Sequence, residues 1–248
     1  MTALPIRWSE AVRAEWGKTW SLRAPWWCVA SAVLLTAAVA SSLGNDFVLD
    51  VRNGHHSAGA VMQVTDALGP AVQLGQLALF ALAMVVVTSE YATGTIRSTL
   101  LARPQRADVL TGKTVVTGLV GLVAGAALGA AGWASTELAL GSHAANTSPA
   151  AEVVARVAVT VALGCVLTTA ISSVVRSGAG ALTVAFVLLV GLSVLSNPVG
   201  AYMPAGAATA FVAGDASEYP SWVGALVMLG WAAVAQTAAM VLLSRRDA

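Results

Sequence analysis

Four groups of residues in this chain have types and spacings that could do chemistry. Gly112-Lys113-Thr114 repeats the end of a phosphate-binding loop, in which backbone N–H groups and a lysine cradle a nucleotide. The pattern GxxxxGK[ST] needs Gly at position 107, where this chain has Ala107, and the residues that follow enter an apolar run rather than a helix packed on a parallel sheet. Nucleotide binding here is rejected. His55-His56, near Asp46 and Asp50, are metal-ligand types, but adjacent side chains diverge on regular structure, which favours a solvated loop. Cys28 and Cys165 fall inside apolar runs with no CxxC or Cys/His spacing, as small buried hydrophobes do. The fourth group is Ser89–Lys113, SEYATGTIRSTLLARPQRADVLTGK, with Arg97, Arg103, Arg106 and Lys113. Its chemistry is positive charge, suited to an acidic protein surface or to anionic headgroups. No GxSxG, HExxH or paired intramembrane aspartates are present, so no catalytic, cofactor or metal-binding residue is assigned.

The elements that must carry these groups are membrane helices. The chain is 57% hydrophobic and 10% charged, where soluble domains carry about 25% charged residues. Its mean hydropathy is +0.77. A helix crossing hydrocarbon needs about 20 mostly apolar residues. Six runs qualify: Trp26–Leu43, Pro70–Thr88, Thr114–Ala134 (with a continuation towards Leu140), Val153–Val175, Ala179–Leu195 and Trp222–Leu243. The fold class expected is all-α and polytopic, a single transmembrane domain over 1–248. The first 24 residues hold no continuous apolar stretch, so no signal peptide is expected.

Charge sets the orientation. With the N-terminus inside, all of the 13 basic residues except Arg52 and Arg156 fall in cytoplasmic segments. Both termini are therefore expected in the cytoplasm, and Ser89–Lys113 becomes a cytoplasmic link between the second and third spans.

Within the N-terminal stretch 1–25, residues 5–24 are expected to form an interfacial helix. Trp8, Val12, Trp16 and Trp20 recur every four residues as an apolar stripe, with Arg7, Glu10, Arg13 and Lys18 mainly on the rest of the circumference; Glu15 breaks the pattern. Such a helix serves as a plain membrane anchor or as an elbow that also touches a cytoplasmic partner. Gly121, Gly125 and Gly129 form two overlapping GxxxG repeats, suited to close helix packing within the chain or between two copies. Gln73, Gln76, Thr169 and Ser172 are polar groups inside spans, either hydrogen-bonding between helices or lining a substrate path. Ionisable residues are nearly absent from the span centres, which weighs against a proton-driven secondary transporter. In the outer loop 197–221, Pro204 is expected to start a short helix and Gly214 to stop it, giving a re-entrant or interfacial piece.

The run Glu90-Tyr91-x-x-Gly94-Thr95-Ile96-Arg97-Ser98-Thr99-Leu100-Leu101-Ala102-Arg103-Pro104-x-Arg106, closing with Lys113, resembles the segment after the second span in permease subunits of ABC-type exporters, the ABC-2 membrane family. The arm with Arg13, Glu15, Trp16 and Lys18 resembles the same proteins, especially actinobacterial ones, and Tyr202-Met203-Pro204 with Ala208 is a weaker echo of the family's last outer loop. The resemblance implies a bacterial plasma-membrane exporter subunit that works as a dimer, with itself or a related permease. A separate cytoplasmic ATPase would hold ATP and Mg, with no cofactor in this chain and no nucleic-acid partner. It implies that 89–113 contains a coupling helix, with Glu90, Gly94, Thr95, Ile96, Arg97, Arg103, Pro104 and Arg106 at the ATPase contact. The arginines would meet acidic ATPase residues or, alternatively, anionic lipid. A stand-alone membrane protein conferring immunity or acting as a scaffold is the competing expectation.

Overall fold

The computed structural model describes residues 8–95, 106–194, 198–214 and 218–245. Helix α1 covers Trp8–Trp20 and α2 covers Ala24–Arg52, with Pro25 in the first turn, where a missing N–H breaks no helical bond. Then come α3 (Val64–Ala92), α4 (Arg106–Leu140) and α5 (Ala150–Val175). Three shorter helices follow, α6 (Gly178–Leu189), α7 (Pro198–Ala201) and α8 (Pro204–Ala213), before α9 (Ser221–Arg245). Two short strands, β1 (Met62–Gln63) and β2 (Ala144–Ala145), pair in parallel with Met62 opposite Ala144, tying together the loops after α2 and α4.

Among the described residues, five helices are long and apolar enough to cross a membrane: α2, α3, α4, α5 and α9. They outrun the apolar windows that announce them. α2 and α3 have 29 residues each, about 44 Å of helix against a hydrocarbon core of about 30 Å. The apolar window marks the part in hydrocarbon, and the backbone stays helical through the headgroup layer. For the same reason Pro70, expected to open the second span, lies inside α3.

The fifth expected span, Ala179–Leu195, is not a single helix. α6 has 12 residues, about 18 Å, too short to cross alone. It ends at Val190, which leaves helical geometry at φ −133°, ψ −53°. A 3-10 turn at Gly191–Val194 follows, opened by glycine, a poor helix former. Leu110 of α4, Ala170 of α5, and Ala239 and Leu243 of α9 form one cluster, and Leu163 meets Met228 in another. α5 and α9 therefore run in the same direction, and the chain between them must travel back along the bundle. It does so in pieces, through α6, the turn, α7 and α8. The last of these starts at Pro204 and is closed by Gly214 at φ +82°, the start and stop that the sequence names.

α5 is the central helix, and α2 and α9 lie at the periphery. Leu34 and Leu35 of α2, Leu122 and Val123 of α4, and Leu226 and Leu229 of α9 are exposed, as suits a surface facing lipid. α1 and the starts of α2 and α4 meet the ends of α3, α5 and α9 at one end of the bundle. Arg13, Lys18, Arg23, Lys113, Arg176 and Arg245 all belong to this basic end.

Candidate functional site

The helix period places Val12, Glu15 and Thr19 on one face of α1, and that face turns towards the bundle. Glu15 is 5% exposed and Thr19 is 6% exposed. Val12 and Trp20 pack against Leu82, Val116 and Val120 of α3 and α4. Trp16 faces outward, and Trp20 packs against Trp26 in a tilted pair with ring centroids 4.6 Å apart. Trp8 opens α1, but its side chain lies outside the described set. The stripe Trp8, Val12, Trp16, Trp20 is thus not a single lipid-facing surface: Val12 and Trp20 dock on protein. Glu15, which breaks the stripe in sequence, is the residue at the centre of the docking face.

Glu15 reaches two lysines. Its Oε2 accepts from Lys113 Nζ at 2.8 Å and its Oε1 from Lys18 Nζ at 2.7 Å. The same two ammonium groups converge on Glu90 Oε1, Lys113 at 2.9 Å and Lys18 at 3.0 Å. Lys113 also donates to the Val86 carbonyl at 3.2 Å. Two carboxylates and two ammonium groups cancel in charge. Lys113 is 3% exposed and Glu90 is 9% exposed, a burial that isolated charges would not tolerate. Burial alone would raise the Glu15 carboxyl, but the Lys113 ammonium, helped by Lys18, outweighs it and holds the carboxyl below the usual value. Burial would lower the Lys18 ammonium, but its hydrogen bonds to Glu15 and Glu90 prevail and hold it above the usual value.

The cluster joins three elements: α1 through Glu15 and Lys18, the end of α3 through Glu90, and the start of α4 through Lys113. α3 and α4 are the two helices that flank the 89–113 segment. Gly94, at φ +72°, takes the left-handed turn just after α3, a conformation that costs glycine little. Thr95 Oγ1 lies 2.9 Å from Thr93 Oγ1. Ile96, Arg97, Arg103 and Pro104 lie outside the described residues, and Arg106 is described only as the first residue of α4. Of the residues assigned to the ATPase contact, Glu90 is placed in the ion-pair cluster of its own chain. Beside it, Arg176, at the end of α5 in a left-handed conformation (φ 58°), lies 5.2 Å from the Tyr91 ring centre.

The mid-membrane polar residues are distributed rather than gathered. Gln73 donates to Thr209 Oγ1 at 2.8 Å, tying α3 to α8. Gln76 is buried, with an unpartnered Oε1. Thr117 and Thr169 hydroxyls lie 2.8 Å apart across α4 and α5, and Thr169 accepts from Thr117 when it donates its own proton to the Cys165 carbonyl, while Ser172 donates to the Thr168 carbonyl. Gly121, Gly125 and Gly129 lie against α5 of the same chain: a Cβ would come within 3.0 Å of Ala162 Cα, 2.9 Å of Val161 Cβ and 3.1 Å of Val157 Cβ respectively. His55 meets Asp50 at 3.2 Å, and among the described residues no group of three or more His, Cys, Asp or Glu side chains is placed to hold a metal.

A cavity of about 430 Å³ adjoins the ion pairs, bordered by Glu15, Lys18, Glu90 and Lys113 and by apolar side chains including Leu22, Pro25 and Val86. The sequence carried two signals of this site. One was an acid interrupting an apolar stripe. The other was an acid and a base, Glu90 and Lys113, at the facing boundaries of two apolar runs.

The chain matches the family model described as ABC-2 family transporter protein over residues 21–213, well over half its length. The match takes in α2 to α8 and leaves out α1 up to Trp20. No curated protein matches the chain. The chain belongs to the ABC-2 transporter family, whose membrane domain is a permease without a nucleotide-binding motif of its own.

Proposed function

We propose that this multi-pass membrane permease is the translocation subunit of an ATP-driven exporter in a bacterial plasma membrane. Its basic end faces the cytoplasm and meets a separate ATPase subunit, and two permease copies, identical or related, form the path between them. The carrying observation is the four-charge cluster that fastens α1 to the end of α3 and the start of α4. A contact made by the 89–113 segment would reach all three helices at once, because moving that segment without them would break buried ion pairs. Family membership supports the permease assignment, and the charge distribution supports the orientation.

Arg97, Arg103 and Arg106 are the residues proposed to pair with acidic groups on the ATPase. A tagged chain extracted gently from native membranes is expected to bring down a soluble ATPase carrying both nucleotide motifs. Arg97→Glu and Arg103→Glu should each weaken that capture. Intact capture and transport in both variants would reassign these arginines to lipid. Function in a strain lacking any partner ATPase would replace the exporter reading with the stand-alone immunity or scaffold one. A reporter fused after Ala248 should read as cytoplasmic.

A further inference from the structure

Arg52 and Arg156 stand apart from the basic end, and they differ in burial. Arg52 is exposed at the end of α2. Arg156 lies in the second turn of α5, at the opposite end of the bundle from Arg176, and its side chain is 14% exposed. A basic residue on that side runs against the charge bias that orients membrane helices, so its presence there needs a local reason. The end of α8 supplies one. The guanidinium lies against Gly214, the residue that closes α8: Nη1, Cζ and Nη2 crowd the place where a Cβ on Gly214 would sit. Gly214 holds φ +82°, so one glycine both stops the helix and makes room for the charge.

The last carbonyls of a helix carry partial negative charge and lack helical partners, and a cation beside them is stabilising. Glu152, one turn earlier on α5 and half exposed, pairs with Nη2 and fixes the direction of the guanidinium. Nη1 is buried and has no hydrogen-bond partner, so what it offers α8 is charge. The rest of α8 is lightly held. Ala205, Ala207 and Ala208 are buried, and alanine offers little apolar area. Gln73 ties Thr209 to α3. The chain just before α8 is tied to α9 by Trp231, which donates to the Tyr202 carbonyl at 3.0 Å. α8 packs against α3, α5 and α9, and it belongs to the broken stretch after Val190. Lifting it would open that end of the bundle without unwinding any of the five long helices.

We propose that Arg156, aimed by Glu152, is a positioning residue that clasps the C-terminal end of α8 and keeps α8 seated between α3, α5 and α9, so that loss of its charge lets α8 lift from the bundle. The clasp rests on contacts within this chain, and it stands whether or not an ATPase docks at the basic end.

The test is thiol labelling of the full-length Val212→Cys chain in detergent with a sulfonated maleimide, too polar to enter the micelle. Mass spectrometry of the tryptic peptide holding position 212 reads that thiol separately from Cys28 and Cys165, which fall on other peptides. Val212 is 3% exposed, so labelling should be slow in the parent. Adding Arg156→Met, which keeps the stem and removes the charge, should speed it on the order of tenfold. Arg156→Lys, which keeps the charge, should hold the rate within about threefold of the parent. Glu152→Gln should give a smaller rise than Arg156→Met, and it decides alone if Arg156→Met does not fold. Gly125→Leu, which loosens the chain where α4 meets α5, should leave the rate unchanged well below its thermal midpoint. No rise in Arg156→Met (or in Glu152→Gln where that variant decides), an equal rise in Arg156→Lys, or an equal rise in Gly125→Leu would overturn the proposal.

Discussion

Two regions of this molecule hold helices together by opposite means. At the basic end, α1, α3 and α4 are joined by four charges, each acid touching both bases. Halfway along the bundle, α4 and α5 are joined by glycines, with Val161 Cβ and Ala158 Cα where a side chain on Gly125 would sit. Lipid tails are as apolar as leucine, so burying leucine between helices yields little inside a membrane; close contact yields more. The glycine seam therefore sits within the apolar run, and the charges sit where the run ends and water and headgroups begin. The seam is rigid by shape. The cluster is held by electrostatics, which a contact from outside can redirect.

This contrast can be broken most forcibly at Lys113. Lys113→Ala leaves Glu15 and Glu90 sharing the half-exposed Lys18, and removing one partner of a buried ion pair costs about 3–5 kcal/mol. The measurement is the thermal midpoint in detergent, with restoration expected on adding Glu15→Gln. A loss that Glu15→Gln does not relieve would mean that the lysine acts by packing rather than by charge.

The seam should respond next. Gly125→Leu drives a side chain into Ala158 and Val161 and should cost about 1–3 kcal/mol, with Gly125→Ala milder. Neither change should alter with salt or pH, and a pH-dependent loss in Gly125→Leu would undo the distinction between the two regions.

The smallest effect is the pH response of the cluster. The Glu15 carboxyl is held below its ordinary value of 4.5, so its contribution is complete above that value and fades as pH falls through the lower, folded-state value. The Lys18 ammonium is held above its ordinary 10.5, so its contribution is complete below that and fades as pH rises through the folded-state value. Lys18 is half exposed and solvent-screened, so the alkaline loss should be the weaker. The difference in midpoint between the unaltered chain and Glu15→Gln should be flat between these limits and shrink in acid. A difference that grows on acidification would contradict the sign of the Glu15 shift.

The membrane character and the helical content were legible because they rest on local composition. α8 was legible too, since Pro204 and Gly214 act on their own turns. The interruption after α6 was harder to read, because Ala179–Leu195 is apolar enough to span and gives no hint in hydropathy that Val190 leaves the helix. The docking face of α1 was misassigned because Trp at four-residue spacing resembles a lipid-facing stripe, whereas Glu15 was the informative residue.

By itself, the sequence determined a nearly all-helical membrane chain, which end collects the basic residues, and the incompleteness of the phosphate-loop pattern at Gly112-Lys113-Thr114. These follow from the cost of placing polar groups in hydrocarbon and from a motif that either is or is not complete. Only the tertiary structure decided that Glu15 meets Lys113, 98 residues away, and that Lys18 meets Glu90, 72 residues away. The partner of a buried charge depends on which faces of α1, α3 and α4 come together, and no local property of any of the three helices specifies that.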